Sequence, residues 1–156
     1  MINSSCKQYK LISNESEKVL VGKINRGMLN TEIYPWFKAG YDSYNSALNT
    51  DILFLKAYNQ RVTFVVFGGT WCDDTRILLP KFFRVIDEAQ FPASSITLFG
   101  VDRQKKTLKG EAEKNNILNV PTFIVYKDGV EIGRIVESVK KSIEVDLKTM
   151  LVKTVF

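Results

Sequence analysis

Residues 61–67 (Arg-Val-Thr-Phe-Val-Val-Phe) restrict the folds open to this chain more than any other segment. β-Branched and aromatic residues fill the run almost without interruption, and Gly68-Gly69 ends it. A strand with one face in water alternates apolar and polar residues, whereas one that is apolar throughout is covered on both faces. The period then changes. After Thr70-Trp71-Cys72, the apolar residues Ile77, Leu78, Phe82, Val85, Ile86 and Ala89 follow helical spacing from Asp73 onward, with Pro80 inside, where a kink is expected. A buried strand that feeds a helix predicts a sheet with helices packed on its faces.

The remaining segments extend that pattern. Residues 95–101 read as a second buried strand, followed by a basic loop over 102–109 and a short helix over 111–116. Residues 122–127 and 130–137 form a hairpin through Asp128-Gly129, a turn pair suited to tight antiparallel connections. A last helix over 138–153 carries Ile143, Leu147, Met150 and Leu151. Ahead of this, residues 1–30 read as a polar, extended arm with one edge strand near Val19-Leu20-Val21-Gly22. A helix is expected from Thr31, capped by Thr31 or Asn30 with Pro35 in its first turn. Its stripe of Tyr34, Phe37, Tyr41, Tyr44 and Leu48 suits core packing better than ligand binding. A second helical run covers 51–58. With no repeat, low-complexity tract or linker, the expectation is one domain: an extension over 1–60 packed on an α/β core over 61–156.

Two cysteines, Cys6 and Cys72, and no histidine exclude His-based triads, Cys-His proteases and His-ligated metal sites. They are also too few for a disulfide scaffold, and no metal or bound cofactor is expected. The net charge of +5 permits an acidic partner without requiring one. No nucleic-acid signature is present, and no apolar run reaches the roughly 18 residues of a membrane span. Met1–Ser5 carries no apolar leader, so the sequence as written reads as cytoplasmic. A Cys6 that follows small residues also fits a lipoprotein or periplasmic chain whose signal segment was removed.

The chemistry concentrates at Cys72, where a buried strand hands over to a helix. In parallel sheets, sites are built at the carboxyl ends of strands. The first turn of a helix offers dipole and unpaired N–H groups that favour a thiolate, and Thr75, three residues on, is placed to donate toward the sulfur. Asp73 and Asp74 oppose this by like-charge repulsion. The alternative for a lone cysteine is a small buried hydrophobe.

The run Phe64-Val65-Val66-Phe67-Gly68-Gly69-Thr70-Trp71-Cys72 resembles the active-site strand and turn of the thioredoxin superfamily. Pro80 stands where that family kinks its first long helix, Val120-Pro121-Thr122 resembles its cis-proline loop, and Tyr126-Lys127-Asp128-Gly129 resembles its closing hairpin. The resemblance implies a thioredoxin-like mixed sheet flanked by helices, here with a helical N-terminal extension. Trp71-Cys72-Asp73-Asp74-Thr75 with Leu79-Pro80-Lys81-Phe82 is similar to a bacterial branch with Ser or Thr at the fourth motif position. By this resemblance Cys72 and Thr75 are the catalytic pair, and Trp71, Asp73, Asp74, Val120 and Pro121 contact substrate. The backbone of Val120 would face the groove and pair with an extended chain.

The departures bear on function. Thr75 replaces the second cysteine, which resolves the mixed disulfide in a dithiol enzyme. The family's buried acid aligns with Val66 and its paired lysine near Leu98, both apolar. Three readings follow. Cys72 acts alone on disulfide-containing or glutathionylated partners, with glutathione as the external thiol; Cys6 resolves the mixed disulfide; or the fold is a redox-inactive module that binds extended peptide segments. The basic loop, Arg103-Gln104-Lys105-Lys106 and Lys109, is expected on the same rim as Cys72, where it would offset Asp73 and Asp74 and favour an anionic ligand.

Overall fold

The structure, a computed structural model, describes residues 7–45 and 49–155. Cys6 and Leu48 lie outside the described residues, and so does the reading of Cys6 as a resolving thiol. Six strands form one mixed sheet in the order β1-β2-β4-β3-β5-β6. They are β1 (Tyr9–Ser13), β2 (Lys18–Ile24), β3 (Val62–Gly68), β4 (Ile96–Gly100), β5 (Thr122–Lys127) and β6 (Val130–Val136). The helices are α1 (Pro35–Ser43), α2 (Asn49–Lys56), α3 (Asp73–Glu88), α4 (Glu111–Lys114) and α5 (Ile143–Val152).

β3 occupies the position its composition demands. It runs parallel to β4 and antiparallel to β5, and its side chains feed two cores. Val62, Phe64 and Val66 enter the larger one with α1, α3 and α5, while Phe67 enters a smaller one with Val101, Ala112, Ile117, Val120 and Ile124. Alternate residues thus serve opposite faces; the face of Val62, Phe64 and Val66 is buried throughout, while the other runs from exposed Thr63 through half-buried Val65 to buried Phe67. Val66 and Leu98 are register partners on β3 and β4, both buried in the larger core. The β5–β6 hairpin turns through Asp128 (φ 51°) and Gly129 (φ 81°), as the Asp-Gly pair predicts.

The N-terminal arm departs from expectation. It forms two strands rather than one, and β2 pairs with both β1 and β4, so Val19–Gly22 lies inside the sheet instead of at its edge. Gly100 makes this possible, because a Cβ there would stand 2.1 Å from the Leu20 carbonyl oxygen. α1 starts at Pro35 and not at Thr31. Tyr34 precedes the proline, which disfavours helical backbone there, and it adopts φ −123°, ψ 65° with no side-chain cap. Tyr34, Phe37, Tyr41 and Tyr44 do pack on the larger core. α3 runs unbroken from Asp73 to Glu88 with Pro80 inside it. α5 starts at Ile143, five residues later than the expected 138, and Ser142 caps it by accepting from Val145 N–H. Among the described residues, no helix is long and apolar enough to cross a membrane.

Candidate active site at the end of the central strand

β3 and β4 end on one rim, and the chain leaves β3 there through Gly69, Thr70, Trp71 and Cys72. The turn is tight, with Cys72 N–H donating to Gly69 O at 2.9 Å. Cys72 is the N-cap of α3, in extended conformation, and its carbonyl accepts from Arg76 N–H at 3.0 Å. The thiol therefore stands at the cap rather than within the first turn. It is half-buried and free, and its S–H donates to the Val120 carbonyl at 3.5 Å. The Val120–Pro121 bond is cis, and both residues are buried. The main chain of Val120 thus meets the sulfur directly, in the place the resemblance implied.

Thr75 is buried, and its Oγ1 accepts from Gly69 N–H at 3.2 Å. This bond ties α3 to the end of β3. A hydrogen bond from Thr75 to the sulfur is not among those of the described residues. Asp73 and Asp74 are exposed, and Asp73 lies 3.9 Å from the Arg76 guanidinium. Arg76 also donates from Nε to the Thr70 carbonyl at 2.8 Å, bracing the turn from the helix side.

Trp71 folds back over the turn. Its Nε1–H donates to Val101 O at 3.0 Å, and a Cβ on Gly69 would come 2.6 Å from the ring, so glycine is needed beneath the indole. The Arg103 guanidinium lies over the ring, 5.3 Å from its centroid. Arg103 is in turn held by Glu17, Nε to Oε2 at 3.1 Å with Nη2 closing the second arm on Oε1. Those hydrogen bonds hold the Glu17 carboxyl below its usual range against the opposing effect of burial, with the charges of Arg103 and Arg76 adding to them. The basic loop does reach the rim of Cys72, but Arg103 is turned to Glu17 rather than to Asp73 or Asp74. Glu17 has no signal in the sequence, since it is one acid in a polar arm. The Lys18 carbonyl next to it accepts from Thr70 Oγ1 at 3.1 Å and from Tyr34 Oη at 3.2 Å, joining β2, the turn and the approach to α1. Arg76 was discoverable, being four residues after the cysteine and hence one helical turn along.

Among the described residues, no group of three or more His, Cys, Asp or Glu side chains is placed to hold a metal ion. The family model described as Thioredoxin matches residues 44–149. The chain belongs to the thioredoxin family. A thioredoxin H-type from Oryza sativa subsp. indica is 33% identical over 95 residues, which covers 61% of this chain and 70% of that protein. A thioredoxin from Staphylococcus aureus (strain Mu50 / ATCC 700699) is 29% identical over 87 residues, 56% of this chain and 79% of the relative. Among solved structures, a Pseudomonas aeruginosa protein of unknown function aligns with a TM-score of 0.51 at 14% identity, covering 77% of this chain and 72% of that one. That last likeness concerns the fold alone. Thioredoxin-like oxidoreductase chemistry is the general class in which the family membership places the chain.

Proposed function

We propose that this thioredoxin-family protein carries out thiol–disulfide exchange through Cys72 as its single working thiol. The observation that carries the proposal is the half-buried sulfur at the head of α3, 3.5 Å from the Val120 carbonyl that precedes cis-Pro121. A half-buried sulfur beside the main chain that precedes a cis-proline is suited to a partner that reaches this loop in extended form and presents a disulfide to the thiol.

With a glutathionylated partner, the Cys72 thiolate attacks the glutathione sulfur, the partner's sulfur leaves as a thiolate that takes up a proton, and Cys72 is left bonded to glutathione. A second glutathione thiolate attacks the glutathione sulfur of that bond and releases oxidised glutathione, restoring Cys72. The sum consumes one external glutathione thiol and exchanges the partner's mixed disulfide for oxidised glutathione, and no second protein cysteine is required. With a protein disulfide, the same attack releases one partner thiolate and leaves a Cys72–partner mixed disulfide; one glutathione thiolate attacks the Cys72 sulfur and frees the second partner thiol, and a second removes the bound glutathione as oxidised glutathione. The motif Trp71-Cys72-Asp73-Asp74-Thr75 supports a place in the bacterial branch with Ser or Thr at the fourth position.

One observation favours a second reading, a peptide-binding protein without turnover. Val66 and Leu98 put hydrocarbon where the family keeps a buried acid and its lysine, so these two positions supply no side chain to relay a proton. Turnover of a glutathionylated peptide with excess glutathione separates the two. The proposal expects multiple turnovers and none in Cys72→Ser. A Cys72→Ser protein that binds the peptide as tightly as the parent, with no turnover in either, selects the binding reading.

A further inference from the structure

The N-terminal hairpin reaches the rim of the site through the Lys18 carbonyl, which accepts from Thr70 Oγ1, and through the Glu17–Arg103 ion pair. Antiparallel to β4, β2 pairs Gly22 with Gly100, and its residues 18–21 continue past the end of β4 toward the active-site turn. The hairpin bend is built by Asn14, whose Oδ1 accepts from the N–H groups of Ser16 and Glu17 at 3.0 and 2.8 Å. That bend presents the Glu17 carboxylate to both arms of the Arg103 guanidinium. Arg103 is largely exposed on its own and sits in a loop whose turn is closed by Asp102, which accepts from Gln104 and Lys106 N–H. Its guanidinium covers the outer face of Trp71, the residue next to Cys72.

We propose that Glu17 and Arg103 are a positioning pair for the site: Glu17 fixes the guanidinium, the guanidinium fixes the indole, and the indole forms the wall against which a partner is aligned with Cys72. Three independent contacts meet at Trp71, namely the bond to Val101 O, the glycine beneath the ring and the cation above it. All three come from the core, and the extension enters through Glu17, which holds the cation in place. A guanidinium held over an indole face by a two-armed carboxylate loses little freedom when a partner binds, so the wall is ordered before the encounter. The pair therefore makes the extension a working part of the site. This rests on the reading of Cys72 as the exchanging thiol, and the test keeps the two apart.

A Trp36→Phe background leaves Trp71 as the only tryptophan of the chain. In that background, Glu17→Gln and Arg103→Met are expected to raise acrylamide quenching of Trp71 by about two- to fivefold, the population ratio that an exposed cation–π contact sustains. Arg103→Lys keeps the charge and is expected to recover part of the loss. The same variants are expected to lower the rate of mixed-disulfide formation with a glutathionylated peptide relative to their rate with iodoacetamide, because alignment falls while the bare thiol stays accessible. Quenching of Trp71 unchanged in both Glu17→Gln and Arg103→Met overturns the inference. If the background protein forms no mixed disulfide, the reading of Cys72 fails, while the quenching series still decides whether the pair holds the indole.

Discussion

At the scale of single residues, the proposed single-thiol chemistry turns on Thr75. Its side chain sits one helical turn from Cys72, is almost fully buried and bonds the end of β3 through Gly69 N–H. A cysteine is close to threonine in volume, so the site can accept a thiol in its place. Thr75→Cys is expected to create a second thiol within reach of Cys72 and to raise glutathione-independent reduction of insulin by about tenfold or more over the parent. No gain in that assay would mean that the pocket under α3 holds the new sulfur out of reach. Thr75→Val tests the structural half of the role. Losing the acceptor leaves a buried N–H unpaired and should cost about 1–3 kcal/mol in urea unfolding.

At the scale of elements, the site is the junction of β3 with α3, and this much was readable in the sequence. Continuous apolarity named β3, helical spacing named α3, and the glycines between them named the turn. The hairpin formed by β1 and β2 was less legible. β1 is exposed along its whole length and its composition is mixed, so it carries no alternation that marks a strand. What makes it a strand is the edge that β2 offers. The close approach of β2 to β4 gives a prediction at this scale. Gly100→Ala puts a methyl group against the Leu20 carbonyl, which is backbone and cannot rotate away. The expected loss is about 1–3 kcal/mol, with β1 and β2 losing hydrogen-exchange protection before β3 and β5 do.

At the scale of the molecule, the extension and the core share their interior. Leu20, Ile24, Leu29, Tyr34 and Phe37 are buried in the same cluster as Phe64, Phe82 and Leu147. A chain restricted to residues 61–156 is accordingly expected to show no cooperative thermal transition, since losing several such side chains, at roughly 2–5 kcal/mol each, exceeds the roughly 5–15 kcal/mol of a typical domain. A polar network also spans the two parts. Arg26 and the Tyr41 hydroxyl both donate to the Asp87 carboxylate, at 2.5–2.7 Å. Burial pushes the Asp87 carboxyl up, but the hydrogen bonds from Arg26 and Tyr41 outweigh it and hold it below its ordinary value. A carboxyl lowered in the folded state contributes stability above its unfolded pKa of about 3.9, and that contribution disappears as the pH falls through the folded value. Asp87→Asn should therefore destabilise the protein at pH 7 and flatten the loss of stability below about pH 4, measured by urea unfolding across pH.

The sequence by itself determined the α/β class, the position of the buried strand, the place of Cys72 at its end and the loss of a second cysteine at Thr75. These are local properties: periodicity, a pair of glycines and the identity of a residue three positions along a helix. The tertiary structure alone decided that Thr75 turns to Gly69 N–H, that Gly100 admits β2 into the sheet, and that Glu17 is paired with Arg103 above Trp71. The last two contacts join residues tens of positions apart, and a side-chain hydrogen bond, an ion pair or a close backbone approach leaves no periodic trace in the chain. The scarcity of thiols is legible in one dimension; the surroundings of Cys72 exist only in three.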